Sequence, residues 1–363
     1  MITQKKTRLK PVERIFNLGN KQKSVELRLD RNENTAFWTQ NEIQDIKELM
    51  SEKMFCRYPD DQNVINAMSK IFGVNTKNIT ICHGANGGIK QILEWLTMPD
   101  DLIFGIEPSY IIYQVFGGLY RCNFKGYSLN PDLSLDIDLL INSLRNNKPR
   151  IFFLANPDQP SGQQLSPDNL VKLFNACQEN NTTLVIDQPY VEFADYNPMD
   201  DIGIVPGIVY IRSLSKSAGM AGLRLGSIIA DEETTQLFVY SRAPAEINNF
   251  TALVCEYLAE RPGLIDNRCE KIINLRKKTV LTFKESGFET IDTSTNFFHI
   301  RLKTSEHANK FKKGIDKRGL KVRGPFNYPL DSVLRITIGT KEEMSKAIKI
   351  CKDEYSDAAY LNS

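Results

Sequence analysis

Six short apolar runs, alternating with longer stretches of helical spacing, constrain this chain more than anything else in it. Residues 78–82, 102–106, 150–154, 183–186, 208–211 and 227–230 are rich in β-branched and aromatic side chains, and most are apolar along nearly their whole length rather than at alternate positions. Such strands must be covered on both faces, and strands separated by helix-length segments pair in parallel. The middle of the chain therefore predicts an α/β domain with a mainly parallel sheet between helices. From about Phe250 the texture changes. A charged helical pattern over 266–284 is followed by two further apolar runs, 296–302 and 334–338, an order that fits a separate, smaller α+β lobe.

The bulk numbers narrow the partners. With 363 residues and 41% hydrophobic content, the chain can bury a large core in one large or two ordinary domains. Forty-six basic residues against 44 acidic ones leave a net charge of +2, which carries no footprint for nucleic acid or a membrane surface, so a small-molecule substrate is expected. The basic start, Met1 to Arg8, runs into no apolar segment, and no stretch approaches the ~18 apolar residues of a membrane span; a cytoplasmic protein is expected. Seven scattered cysteines with no Cys-x-x-Cys pair, and only three histidines, indicate neither a disulfide framework nor a metal centre.

In open α/β sheets ligands bind at the carboxyl ends of the strands, which is where the chemically interesting residues fall. Asp187 closes the run 183–186. Gly84, Ala85 and Asn86 lie between an apolar run and a helical pattern, where helix amides can face an anion. After 208–211 come Ser213, Ser215, Lys216 and Arg224, a layout that suits a lysine bonding a cofactor aldehyde while hydroxyls and a guanidinium hold that cofactor's phosphate. Taken singly, each feature has an ordinary alternative. Lys216 could be a solvated loop lysine, Asp187 a turn cap, and the glycine a plain connector.

The ordered set of landmarks is more specific. Asn32-Glu33-Asn34, Arg57-Tyr58-Pro59-Asp60, His83-Gly84-Ala85-Asn86, Pro108-Ser109-Tyr110, Asn156-Pro157-Asp158-Gln159-Pro160-Ser161-Gly162, Asp187-Gln188-Pro189-Tyr190, Ser213 to Gly226, and Leu334-Arg335-Ile336-Thr337 occur in this order over most of the chain. The set resembles the fold-type I pyridoxal 5′-phosphate (PLP) enzymes, in particular class I/II aminotransferases of the histidinol-phosphate aminotransferase subgroup. The resemblance implies PLP as cofactor, Lys216 as the Schiff-base lysine and proton carrier, and Asp187 as the partner of the cofactor's ring nitrogen. It implies Tyr110 stacked on the ring, and Asn156 and Tyr190 on its phenolic oxygen. Gly84, Ala85, Asn86, Ser213, Ser215 and Arg224 would hold the phosphate, and Arg335, Arg323 and Asn156 the substrate. It further implies a homodimer in which Tyr58 reaches the neighbouring active site, and a segment 1–34 packed with a small domain 251–363 beside a large domain 35–250. Arg31, beside the first landmark, is expected to add an anion contact.

The chain also departs from that pattern. Its first tyrosine is Tyr58, whereas histidinol-phosphate enzymes carry an earlier one on the substrate phosphate; Gln188-Pro189 follows the aspartate in place of Glu-Ala, and Gly87 replaces an acidic residue. The expected activity is therefore amino transfer between an amino acid donor such as glutamate and a small oxo compound, with or without a phosphate. A PLP-dependent decarboxylase of a phosphorylated amino acid is the alternative, because reaction choice rests on which Cα bond stands perpendicular to the ring. A non-catalytic PLP-binding regulator is a third reading, and the residues before Asn32 are too few for its added DNA-binding domain.

Overall fold

The computed structural model describes residues 27–357. Twelve strands are found among them: β1 (Leu27–Arg28), β2 (Ile79–His83), β3 (Leu102–Glu107), β4 (Asn123–Ser128), β5 (Ile151–Ala155), β6 (Thr183–Asp187), β7 (Ile208–Ser213), β8 (Leu225–Ile229), β9 (Glu289–Ile291), β10 (Phe297–Arg301), β11 (Leu320–Lys321) and β12 (Val333–Thr337). Seven form one sheet in the order β2-β8-β7-β6-β5-β3-β4. All its pairings are parallel except those of β8, which runs against both neighbours.

The two-sided covering expected from the apolar runs is observed. Along β5, Phe152 and Leu154 enter one core while Ile151 and Phe153 enter another, as strand alternation requires. The same split divides Leu184 and Ile186 from Val185 on β6, and Ile208 and Tyr210 from Val209 and Ile211 on β7. The helix Asn249–Ala259 buries Val254, Cys255, Tyr257 and Leu258 in the first of these cores. It runs across the expected boundary at 250/251 and packs with the larger body.

The C-terminal lobe has its own core around the antiparallel sheet β12-β10-β9. Leu27 and Leu29 are buried in that core, and β1 pairs in parallel with β11, so residues 27–29 are fastened to the lobe; the rest of the expected segment before them lies outside the described residues. Continuing from there, residues 30–34 run across the carboxyl ends of the large sheet: Arg31 meets Lys216, and Asn34 Nδ2 donates to Ser217 O at 3.2 Å.

Candidate active site

A cavity of about 570 Å³ opens at the carboxyl ends of the parallel strands, lined by the large sheet, the N-terminal segment and the C-terminal lobe. Asp187 ends β6 in full burial. Its Oδ2 accepts a hydrogen bond from Tyr113 at 2.7 Å, and its Oδ1 has no partner. Burial pushes the carboxyl up to about 7, against the pull of the Tyr113 hydroxyl. Tyr113 is held in turn by stacking on Phe153 at 4.8 Å.

Lys216 sits in the short helix Leu214–Ser217, which β7 feeds directly. Ser213 caps it by accepting from Ser215 N. The lysine is half-buried by surface area, yet the cavity walls crowd its amine. Desolvation, helped by Arg335 and Arg224, brings it down to about 8, and Nζ donates to Arg31 O at 2.8 Å.

The oxygens of Ser213 and Ser215 lie 3.0 Å apart, and Arg224 Nη1 donates to Ala221 O at 3.1 Å. The helix Gly84–Leu96 begins beside them, with Ala85 and Asn86 on the cavity wall. Gly84 has φ +64° and lies so close to the Arg224 guanidinium that a Cβ there would collide with it. Helix amides, two hydroxyls and one arginine thus converge, an arrangement that binds a phosphate-sized anion. Tyr110 donates to Asn86 Oδ1 at 2.8 Å and packs edge-on against Tyr113.

Arg335 comes from β12, opposite His299. It is buried over the rings of Phe297 and Phe326, and Nη2 donates to Asp30 O at 3.0 Å, while Nε and Nη1 have no partner. Burial brings its pKa down to about 10. Arg323 is tied to it through reciprocal backbone hydrogen bonds, and both Arg323 and the largely exposed Arg31 line the cavity. A buried guanidinium with two idle donors is a site for a carboxylate or phosphate.

Lys216, Asp187, Tyr110, Tyr190, Ala85, Asn86, Ser213, Ser215, Arg224, Arg335, Arg323 and Arg31 therefore meet in one cavity, with Gly84 directly behind Arg224. Two expected residues do not reach it. Asn156 is buried outside the cavity lining, its Oδ1 accepting from Leu165 N at 3.0 Å and its Nδ2 donating to the Tyr196 hydroxyl at 3.4 Å. Tyr58 is 91% exposed on the single chain. Tyr113 is not among the expected residues: it lies in the helix Ile112–Leu119 while Tyr110 precedes that helix, so no helical spacing in the sequence pairs them. Asn32, read only as part of a landmark, donates from Nδ2 to the Tyr190 hydroxyl at 2.8 Å.

Doubly wound sheet, small lobe and lysine-bearing turn together define the aspartate aminotransferase-like fold of PLP-dependent transferases. Within that class the chain belongs to the family Aminotransferase class I and II, which matches residues 25–350. It is 28% identical over 328 residues to histidinol-phosphate aminotransferase from Clostridium kluyveri, covering 89% of this chain and 91% of that one. It is 26% identical to histidinol-phosphate aminotransferase 1 from Carboxydothermus hydrogenoformans, covering 90% and 92%. Among solved structures, histidinol-phosphate aminotransferase from Sinorhizobium meliloti in complex with PLP superimposes with a TM-score of 0.85 at 21% identity, over 93% of this chain and 92% of that one. L-threonine-O-3-phosphate decarboxylase from Porphyromonas gingivalis superimposes with a TM-score of 0.73 at 21% identity, over 91% and 99%.

Proposed function

We propose that this chain is a PLP-dependent aminotransferase that moves an amino group between a glutamate-like donor and a phosphate-bearing partner of the histidinol phosphate type. One observation carries the reading. Two buried ionisable groups, the Asp187 carboxyl and the Arg335 guanidinium, line the same cavity as Lys216, and each keeps polar atoms without a partner. An acceptor and a donor left idle in a dry site cost stability unless a ligand completes them. PLP fits the first group: its ring nitrogen is a cation for Asp187 Oδ1, its aldehyde suits Lys216, and its phosphate suits the Ser213, Ser215 and Arg224 cup. The substrate's anionic end fits the second.

When bound, PLP supplies an electron sink for negative charge at the substrate's α-carbon. The protein's own residues do the rest. Asp187 holds the ring nitrogen protonated, and Tyr110 covers the ring. Tyr190 donates to the phenolic oxygen, a role that Asn156 would share only if its side chain left Leu165. Lys216, at about 8, is about a tenth unprotonated near pH 7, so its Nζ could take a proton from the substrate's α-carbon and return it two atoms further along, beyond the amino nitrogen, at what was the cofactor's aldehyde carbon. Arg335, with Arg323 and Arg31 at the mouth, orients the anionic groups that fix which Cα bond breaks. Tyr58 of a second subunit is proposed to complete the phosphate cup, which makes the working unit a homodimer.

Gly84→Ala tests the cup. Both the left-handed backbone and the collision with Arg224 oppose a side chain there, so PLP affinity is expected to fall by roughly tenfold or more, read by titrating the apoprotein with PLP.

The activity itself is read from the visible absorbance of the PLP-loaded protein. Glutamate should bleach the band, 2-oxoglutarate should restore it, and histidinol phosphate should bleach it as glutamate does. The fold shared with the threonine-phosphate decarboxylase defines the competing outcome: release of carbon dioxide from O-phospho-L-threonine or O-phospho-L-serine with the band retained would replace amino transfer with decarboxylation. No band with PLP would overturn both.

A further inference from the structure

We infer that Asn32 is a positioning residue which, clamped by Thr337, fixes the direction of the Tyr190 hydroxyl and makes it an obligatory donor toward the cofactor's phenolic oxygen. The inference rests on the PLP reading above. It follows from a set of buried hydrogen bonds whose directions agree with one another. Asn32 N donates to Thr337 Oγ1 at 3.0 Å, so that hydroxyl oxygen is an acceptor there. The Thr337 hydroxyl donates its proton to Asn32 Oδ1, 3.1 Å away. With Oδ1 accepting, the other end of the amide must be the donor, and Nδ2 lies 2.8 Å from the Tyr190 oxygen. A phenol that accepts this bond has its own proton left to give, and Tyr190 lines the cavity.

The placement is costly in backbone terms. Asn32 has φ +54°, a conformation that asparagine tolerates better than most residues because its short polar side chain can hydrogen-bond locally. The segment is pinned on both sides, by Thr337 N donating to Leu29 O at 3.0 Å and by Asn296 Nδ2 donating to Asn32 O at 3.0 Å. Tyr190 is held edge-on against Phe297 at 5.6 Å, so its ring cannot swing to another partner without repacking. Burial raises Tyr190 to about 12, which keeps the phenol protonated at working pH. The charged and titratable groups around it are Arg335, Asp187 and Tyr110.

The test compares the pH at which the visible band of the PLP-loaded protein titrates. Donation by Tyr190 draws electron density from the phenolic oxygen and so weakens proton binding beside it; losing that donation raises the midpoint. Tyr190→Phe is expected to shift it up by on the order of one pH unit. Asn32→Asp keeps the shape and still accepts from Thr337, but it offers Tyr190 an acceptor in place of a donor, reverses that bond, and should shift the midpoint in the same direction. A carboxylate could also act through charge alone, so the decisive measurement is the double variant. Asn32→Asp in the Tyr190→Phe background should add no further shift. Thr337→Val, which frees the amide to flip, should shift the midpoint upward, and Thr337→Ser should keep the wild-type value.

An equal Asn32→Asp shift with and without the Tyr190 hydroxyl would overturn the inference, as would a wild-type midpoint in both Asn32→Asp and Thr337→Val. Should Asn32→Asp fail to fold, the Thr337 pair decides. Absence of the band from the wild-type protein is the separate failure of the PLP reading.

Discussion

Lys216→Ala is expected to slow glutamate turnover by roughly 10⁴-fold or more while leaving the protein folded. No other lysine lines the cavity among the described residues, so nothing present can replace its amine as nucleophile or proton carrier. Stability should not suffer. The ammonium is held below its ordinary value of 10.5, at about 8, so the folded state disfavours its charge. The cost of that charge is fully present below about pH 8 and fades between about 8 and 10.5 as the unfolded chain also loses the proton. At neutral pH the alanine variant escapes it, and loses only the hydrogen bond to Arg31 O. Single-turnover kinetics and urea unfolding at pH 7 read the two halves separately. A small exogenous amine should restore part of the rate, since the truncated side chain leaves room for it. Turnover within tenfold of wild type would remove Lys216 from the centre of the mechanism.

Much of this site was legible because it lies where strands end. The runs before Asp187 and Ser213 are apolar on both faces, so their register and their carboxyl ends could be read without a structure. Strand β4 was missed for the converse reason: Asn123–Ser128 is a half-exposed edge strand with a lysine and a glycine in it, and carries no apolar run. The reversed direction of β8 leaves no trace in the apolar pattern of a buried strand. Asn156 shows a further limit. A residue at the right place in the chain can still turn its amide inward, and here a backbone N–H of Leu165 claims it. The contacts that orient the site are the least legible. Asn32 meets Tyr190 across 158 positions and Thr337 across 305, and no local periodicity encodes a hydrogen bond over such distances. Alternation does place Arg335 and Thr337 on the same side of one strand, so the strand that carries the anion-binding guanidinium also carries the hydroxyl that holds the N-terminal segment across the cavity.

Asp187→Asn should have opposite consequences with and without PLP, and that reversal is the sharpest test of why this carboxylate is buried here. In the cofactor-free protein the Asp187 carboxyl is raised from 3.8 to about 7, chiefly by desolvation. A raised acid binds its proton more tightly in the folded state, so between about pH 4 and 7 the unfolded chain has released a proton that the folded chain still holds. Stability from this group is present at low pH and lost as pH rises through that window, by at most about 4 kcal/mol. Asparagine has no proton to release. The cofactor-free variant should therefore gain on wild type progressively from pH 4 to pH 7. His299, lowered to about 3 by burial, contributes in the contrary sense as pH rises from about 3 to 6.5, but it is common to both proteins and cancels in their difference. With PLP bound, the ionised carboxylate gains a cationic partner for Oδ1 and the order inverts: wild type is the more stabilised protein, and the asparagine variant turns over about 10³-fold more slowly for want of a charge to keep the ring nitrogen protonated. Urea unfolding of both proteins at several pH values, with and without PLP, reads the whole set. A difference that stays flat with pH in the cofactor-free proteins would mean that Asp187 is not the strained acid its surroundings make it. A difference that PLP leaves unchanged would mean that the carboxylate does not face the cofactor.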